Sequence, residues 1–179
     1  ERQPPGKWQV FDAAMVDAAP ARMALVHIFI GKGRWSNQRK ANLLDGGAPF
    51  YRTYETSDGK HMAVGPLEPQ FFAQLVAKAD LPDEHRASQM NAGAWPARHD
   101  EYAAVFKSKT RDEWEAIFDN TDACVTPILN WSEAPQHPHA MERGAYFEVD
   151  GVTQSAPAPR FDRTPPPTPT APVAPGADT

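Results

Sequence analysis

The chain has 179 residues, a formal net charge of −5 and a pI near 5.6, which excludes a basic nucleic-acid binder as the default. Apolar residues make up 41% and charged residues 23%, and no window approaches the roughly 18 uninterrupted apolar residues that a membrane-spanning helix needs. A single cysteine, Cys124, excludes an internal disulfide and any Cys-based zinc site; with no secretory leader pattern at the N-terminus, we expect a cytoplasmic chain without nucleic-acid or membrane partners.

The N-terminal Glu1-Arg-Gln-Pro-Pro-Gly-Lys7 is polar and broken by prolines, and Trp8-Gln-Val-Phe11 alternates like a half-buried strand. Residues 15–30 favour a helix that Pro20 should start or kink, and Gly31 and Gly33 stop it. Gly46-Gly-Ala-Pro49 marks a boundary. Phe50-Tyr-Arg-Thr-Tyr54 and His61-Met-Ala-Val64, joined across Ser57-Asp58-Gly59, form the pattern of a β-hairpin. Pro69 opens a predicted helix over 69–78 with Phe71, Phe72, Leu75 and Val76 at helical spacing. A further helical pattern covers 97–106, and Thr110-Arg-Asp-Glu113 is a capping box that starts a helix presenting Trp114, Ile117 and Phe118.

Residues 122–129 read as a short buried strand with Pro127 in it, and Tyr146-Phe-Glu-Val149, Asp150-Gly151 and Val152 as a second hairpin. His137-Pro138-His139 falls in a predicted loop between them. Eight of the 19 prolines lie in the last 24 residues, so the end of the chain is expected to be extended or disordered. From the residues alone the chain is α+β over about 46–125, with flanks that look like pieces of a larger structure.

Phosphate loops, Gly-x-Ser-x-Gly elbows and His-Glu-x-x-His motifs are missing from the sequence. His137 and His139 lack a nearby third ligand, so no metal site is expected there. Cys124 sits in an apolar run, where a thiol usually behaves as a small buried hydrophobe. Arg34, Arg39 and Lys40 read as a solvated face. Glu68, just before Pro69, is either a helix cap or, with Gly65, Pro66 and Leu67 bringing apolar surface beside it, a general base.

Five blocks together resemble the α-methylacyl-CoA racemases of the family III CoA-transferase superfamily. They are Gly6-Lys-Trp-Gln-Val-Phe-Asp12, Asn42-Leu-Leu-Asp-Gly-Gly-Ala-Pro-Phe-Tyr51, Asp58-Gly-Lys-His-Met-Ala-Val-Gly65, Glu68-Pro-Gln-Phe71, and Ala134-Pro-Gln-His-Pro-His139 with Arg143-Gly144. The likeness runs in order over roughly residues 6 to 165. It implies an α/β fold in which this chain is the C-terminal part: 1–45 the end of a Rossmann-like large domain's first pass, 46–125 a small α+β domain, 126–165 the return to the large domain, and 166–179 a Pro-rich disordered tail.

The resemblance further implies an interlocked homodimer, an acyl-CoA thioester as substrate, no separate cofactor and no metal. Racemases of this kind pair a His and nearby Glu on one side of the substrate carbon with an Asp on the other. Glu68 matches the Glu, and Leu44, Tyr51 and Leu67 are expected to line the acyl pocket. The His and Asp belong to segments upstream of residue 1, and none of His27, His61, Asp12, Asp17 or Asp45 is assignable as the opposing base. Two rival readings remain: an acyl-CoA:carboxylate CoA-transferase of the same superfamily, and an inactive fragment or a non-catalytic binding or assembly partner.

Overall fold

In the computed structural model, which describes residues 10–177, the Asp58-Gly59 turn joins two antiparallel strands, β1 (Arg52–Glu55) and β2 (His61–Val64). Gly59 adopts φ +76, which a residue without Cβ reaches at no steric cost, and Thr56 N–H donates to Lys60 O at 2.8 Å to close the loop. The register pairs Tyr54 with Met62, and both side chains are buried. β3 (Val125–Ile128) lies next to β2 in a sheet of order β1-β2-β3. The first strand begins two residues later than the sequence pattern suggests. Tyr51 N–H bonds back to Ala48 O, so Pro49 and Phe50 are in a turn that drives the Phe50 ring into the core.

Preceding the hairpin are α1 (Met15–Arg22) and α2 (Ala24–Gly31), where the sequence suggests one helix. Pro20 has no N–H to donate, and α1 ends two residues after it in a tight turn, with Met23 N–H on Pro20 O at 3.0 Å. Neither helix buries a residue. Val16, Ile28 and Ile30 are exposed, and Phe29 stacks on Trp35 with ring centroids 6.5 Å apart. The predicted strand at Trp8-Gln-Val-Phe11 falls partly outside the described residues; Val10 and Phe11 are exposed and belong to no strand.

After the hairpin come α3 (Pro69–Lys78), α4 (Glu84–Ala87), α5 (Trp95–Phe106) and α6 (Arg111–Phe118). α3 starts at Pro69 and turns Phe72, Leu75 and Val76 inward at helical spacing. α5 buries Trp95, Arg98, Tyr102 and Phe106 along one stripe, and Arg98 Nη1 donates to Ser88 O at 3.0 Å. At α6 both halves of the capping box are present between Thr110 and Glu113. The core is aromatic: Phe50 meets Phe72 edge-on at 5.3 Å, and Tyr54 and Trp114 each lie 5.1 Å from Phe106. Its buried apolar residues run from Ala48 to Val125.

The chain divides into two compact units, one ending at Pro127 and the other starting at Ile128. The second unit has α7 (Pro138–Glu142) and the hairpin of β4 (Tyr146–Val149) and β5 (Val152–Ser155). Asp150 and Gly151 both have positive φ, 50° and 77°, the conformation that a two-residue hairpin turn demands. The predicted loop around His137 and His139 is instead helical. Pro138 starts α7 at the one place where its missing N–H costs nothing. No helix among the described residues is long and apolar enough to cross a membrane.

Residues 165–174 have no regular structure and are nearly all exposed, so little apolar area offsets the roughly 1–2 kcal/mol per residue that ordering them costs. A truncation after Pro165 is expected to shift the melting temperature by less than about 2 °C. Calorimetry checks this, and a fall of several degrees would show that the tail is docked.

Candidate functional site

Leu44 and Tyr51 come from a loop with almost no regular structure, yet both line one groove of about 310 Å³. Its other walls include Arg52 on β1, Gly65 at the end of β2, Cys124 just ahead of β3 and Thr126 within it. Gly65 N–H donates to Cys124 O at 3.0 Å, which ties the two strand ends together. A Cβ on Gly65 would stand 3.8 Å from the Tyr51 ring, ordinary contact that would narrow the groove without a clash.

The loop holding Leu44 is fastened by side chains. Asp45 Oδ1 accepts from Asn42 N–H at 2.9 Å and Gly47 N–H at 3.1 Å, and Asp45 Oδ2 accepts from Asn42 Nδ2 at 2.7 Å. Asn42 is buried; its Oδ1 accepts from Ser36 N–H at 2.7 Å and its Nδ2 donates to Ser36 O at 3.0 Å. His99 Nε2 reaches Gly47 O at 2.7 Å, and because a carbonyl only accepts, that nitrogen holds the proton. Partial burial alone would push the Asp45 carboxyl up, but the hydrogen bonds from Asn42 and Gly47 outweigh it and hold the carboxyl below its ordinary 3.8. A lowered value stabilises the fold at every pH above the ordinary one. That contribution fades only as pH falls through the lowered value, so the loop stays fastened at neutral and mildly acidic pH.

Glu68 caps α3 with φ −75 and ψ 140; its side chain makes no capping hydrogen bond and is exposed. The apolar residues ahead of it turn away from it. Pro66 is among the fully buried side chains, and Leu67 packs half-buried against the core rather than lining the groove with Leu44 and Tyr51. Glu68 thus stands in solvent, close enough to the groove wall for its charge to be felt at Cys124.

Cys124 itself is exposed, with φ 50, where the sequence predicts burial. Burial alternates along this segment, so the Cys124 thiol faces outward while Ala123 and Val125 on either side go into the core. Local desolvation and then the negative charges of Glu68 and Asp122 raise its pKa, keeping it a protonated thiol at neutral pH rather than a nucleophile. Among the described residues, no group of three or more His, Cys, Asp or Glu side chains could hold a metal ion. Asp45, with its carboxylate fully engaged, is a structural group. The sequence signal that could have revealed this is Asn42-x-x-Asp45 ahead of Gly-Gly, short polar side chains spaced to bond the backbone of a turn.

The profile of CoA-transferase family III matches residues 1–179. The chain belongs to this family. Among curated proteins it is 46% identical over 167 residues to an α-methylacyl-CoA racemase of Mus musculus and 42% identical over 170 residues to that of Homo sapiens. Each alignment covers 92% of this chain and 44% of the relative, so the chain spans under half the length of the racemases it matches. A CaiB/baiF CoA-transferase family protein of Caenorhabditis elegans is 28% identical over 155 residues, again covering 44% of its length.

Among solved structures, Rv3272 from M. tuberculosis superposes with a TM-score of 0.59 at 18% identity, covering 86% of this chain and 40% of that one. A point mutant of Rv3272 gives 0.60, also at 18% identity, covering 88% of this chain and 43% of that one. These structures establish the fold: this chain is the C-terminal part of the family III architecture, as its resemblance implies.

Proposed function

We propose that this chain is part of a racemase that inverts the carbon next to the thioester of 2-methylacyl-CoA substrates, with Glu68 as one of its proton-transfer groups. The observation that carries the reading is the 46% identity to a racemase across 92% of the chain, well above the 28% to the CoA-transferase family protein. The thioester carbonyl acidifies that carbon, so one group removes the proton, an enolate forms, and a group on the opposite face returns a proton. Glu68 is suited to the first role: its carboxylate is not tied down as a helix cap, and its charge is felt at Cys124, a wall of the groove whose Leu44 and Tyr51 offer apolar surface to an acyl chain. Leu67 supports the base rather than the chain, since its packing on the core fixes the backbone directly before Glu68.

The opposing groups and the CoA surface come from the remainder of the family's length. On this reading 1–45 and 126–165 are the large-domain pieces around the small domain of 46–125, and two copies interlock. The single cysteine, an exposed free thiol, suits the reducing cytoplasm. Enantiopure (2R)-2-methylacyl-CoA, incubated with the protein expressed at its relatives' length, should yield the 2S epimer without any acceptor carboxylate. Formation of a new acyl-CoA only when a free carboxylate is added would support the transferase reading instead.

The 179 residues by themselves should be inactive and self-associating. One proton-transfer group lacks its opposite, and Val10, Phe11, Met15, Val16, Leu25 and Ile28 all leave apolar surface exposed. Light scattering should report a mass well above 19.7 kDa with no epimerisation. A monodisperse monomer, or turnover near that of an intact relative, would contradict this.

A further inference from the structure

The clamp between Asn42 and Asp45 encloses two leucines that go to different places. Leu43 packs against the core and lines a separate cavity of about 380 Å³ together with Trp95, while Leu44 lines the groove beside Tyr51. Neither leucine belongs to a helix or strand, so no regular hydrogen-bond ladder dictates which faces which way. Five hydrogen bonds do so instead: three onto the Asp45 carboxylate, and two between Asn42 and Ser36. The far end of the loop is pinned through Gly47 O to His99 on α5, and Gly47 has no space for a side chain, so the loop cannot shift register to exchange the leucines.

We propose that Asn42 and Asp45 are positioning residues that set acyl-chain specificity, holding Leu44 as a wall of the groove for the distal part of an acyl-CoA substrate. The inference rests on the reading of the groove as the acyl site. Neither side chain lines the groove, so both act through Leu44. On this proposal Leu44 touches the acyl chain away from the reacting carbon, where an apolar wall grips ground state and transition state alike, so its loss raises KM and leaves kcat in place.

The test compares Asp45→Asn and Asp45→Ala in the protein expressed at its relatives' length, with 2-methylacyl-CoA thioesters of short and long chain. Asp45→Ala removes all three acceptor bonds; Asp45→Asn keeps the two on Oδ1 and loses that to Asn42 Nδ2. For the long chain, KM should rise about tenfold in Asp45→Ala and less in Asp45→Asn, with kcat within about twofold, and the short-chain KM should hardly move. Thr110→Ala, which breaks the capping box of α6 away from the groove, serves as a control that lowers the melting temperature without altering the ratio of long-chain to short-chain KM.

An unchanged ratio in both Asp45 variants, with only a lower melting temperature, would overturn the proposal and leave the clamp a purely structural device. Where the wild type binds acyl-CoA in calorimetry without epimerising it, the racemase reading fails, and the same ratio taken from dissociation constants decides the positioning role. A wild type that binds no acyl-CoA would overturn both.

Discussion

Replacing Glu68 by Gln is expected to reduce racemisation about 100- to 10,000-fold, the range spanned by a positioned acid or base, while the melting temperature stays within about 2 °C of wild type. Gln keeps the shape of the side chain and some hydrogen-bonding capacity but cannot accept and hold a proton. The fold should not notice the change, because the Glu68 side chain makes no capping hydrogen bond and is exposed, and it is the Glu68 backbone carbonyl that accepts from Phe72 N–H at 2.9 Å. Chiral analysis of the product thioester gives the rate. Wild-type-like turnover in Glu68→Gln would remove Glu68 from the proton-transfer set.

Gly47→Ala should have the largest effect on stability, a loss of about 3 kcal/mol. The added Cβ would stand 2.6 Å from Asn42 O, 2.7 Å from Asn42 N and 2.9 Å from Lys40 O. All three are backbone atoms, which cannot rotate away as the end of a side chain could. Accommodating the methyl group would spread the loop, breaking the Asp45 bonds to Asn42 and Gly47 together and moving Leu44 out of the groove. Gly46 beside it needs its glycine for another reason, a φ of +85 with open space around its missing Cβ, so Gly46→Ala strains the backbone without a clash. Denaturant melts of the two variants separate these causes, with Gly47→Ala expected to be the more destabilising. Equal stability of Gly47→Ala and wild type would mean that the loop is not tightly closed.

Elements whose signals are local were legible in the sequence. Asp58-Gly59 between two β-rich runs, Pro69 ahead of spaced apolar residues, and the Thr110 and Glu113 pair each encode their own geometry, and the hairpin, α3 and α6 stand where those residues put them. Features that depend on what lies elsewhere in space were not. The apolar pattern of residues 15–30 could not show that the helix would break at Met23 rather than bend at Pro20, nor that the whole stretch would bury nothing in this chain. Cys124 sits in an apolar run, but burial alternates along it, with Ala123 and Val125 turned inward and the thiol between them outward, a phase that the run of apolar residues does not reveal.

The candidate site divides in the same way. Leu44, Tyr51 and Glu68 were singled out from motif resemblance, and the fold brings the first two to one groove, while Glu68 stands in solvent with its charge felt at the Cys124 wall. Leu67 is adjacent to Glu68 in sequence yet packs on the core, because the buried Pro66 fixes the chain direction immediately before it. The clamp of Asn42, Asp45 and His99 depends on contacts up to 52 residues apart, which motif spacing could not reveal.

The account stands or falls on whether the carbon beside the thioester exchanges its proton. Incubating (2R)-2-methylacyl-CoA in deuterated water with the protein expressed at its relatives' length, and following the acyl chain by mass spectrometry and chiral separation, measures that step directly. The account predicts that the 2S epimer accumulates with one deuterium at that carbon, at a rate that collapses in Glu68→Gln. Epimer without deuterium, or recovery of the substrate with neither deuterium nor inversion, would contradict it.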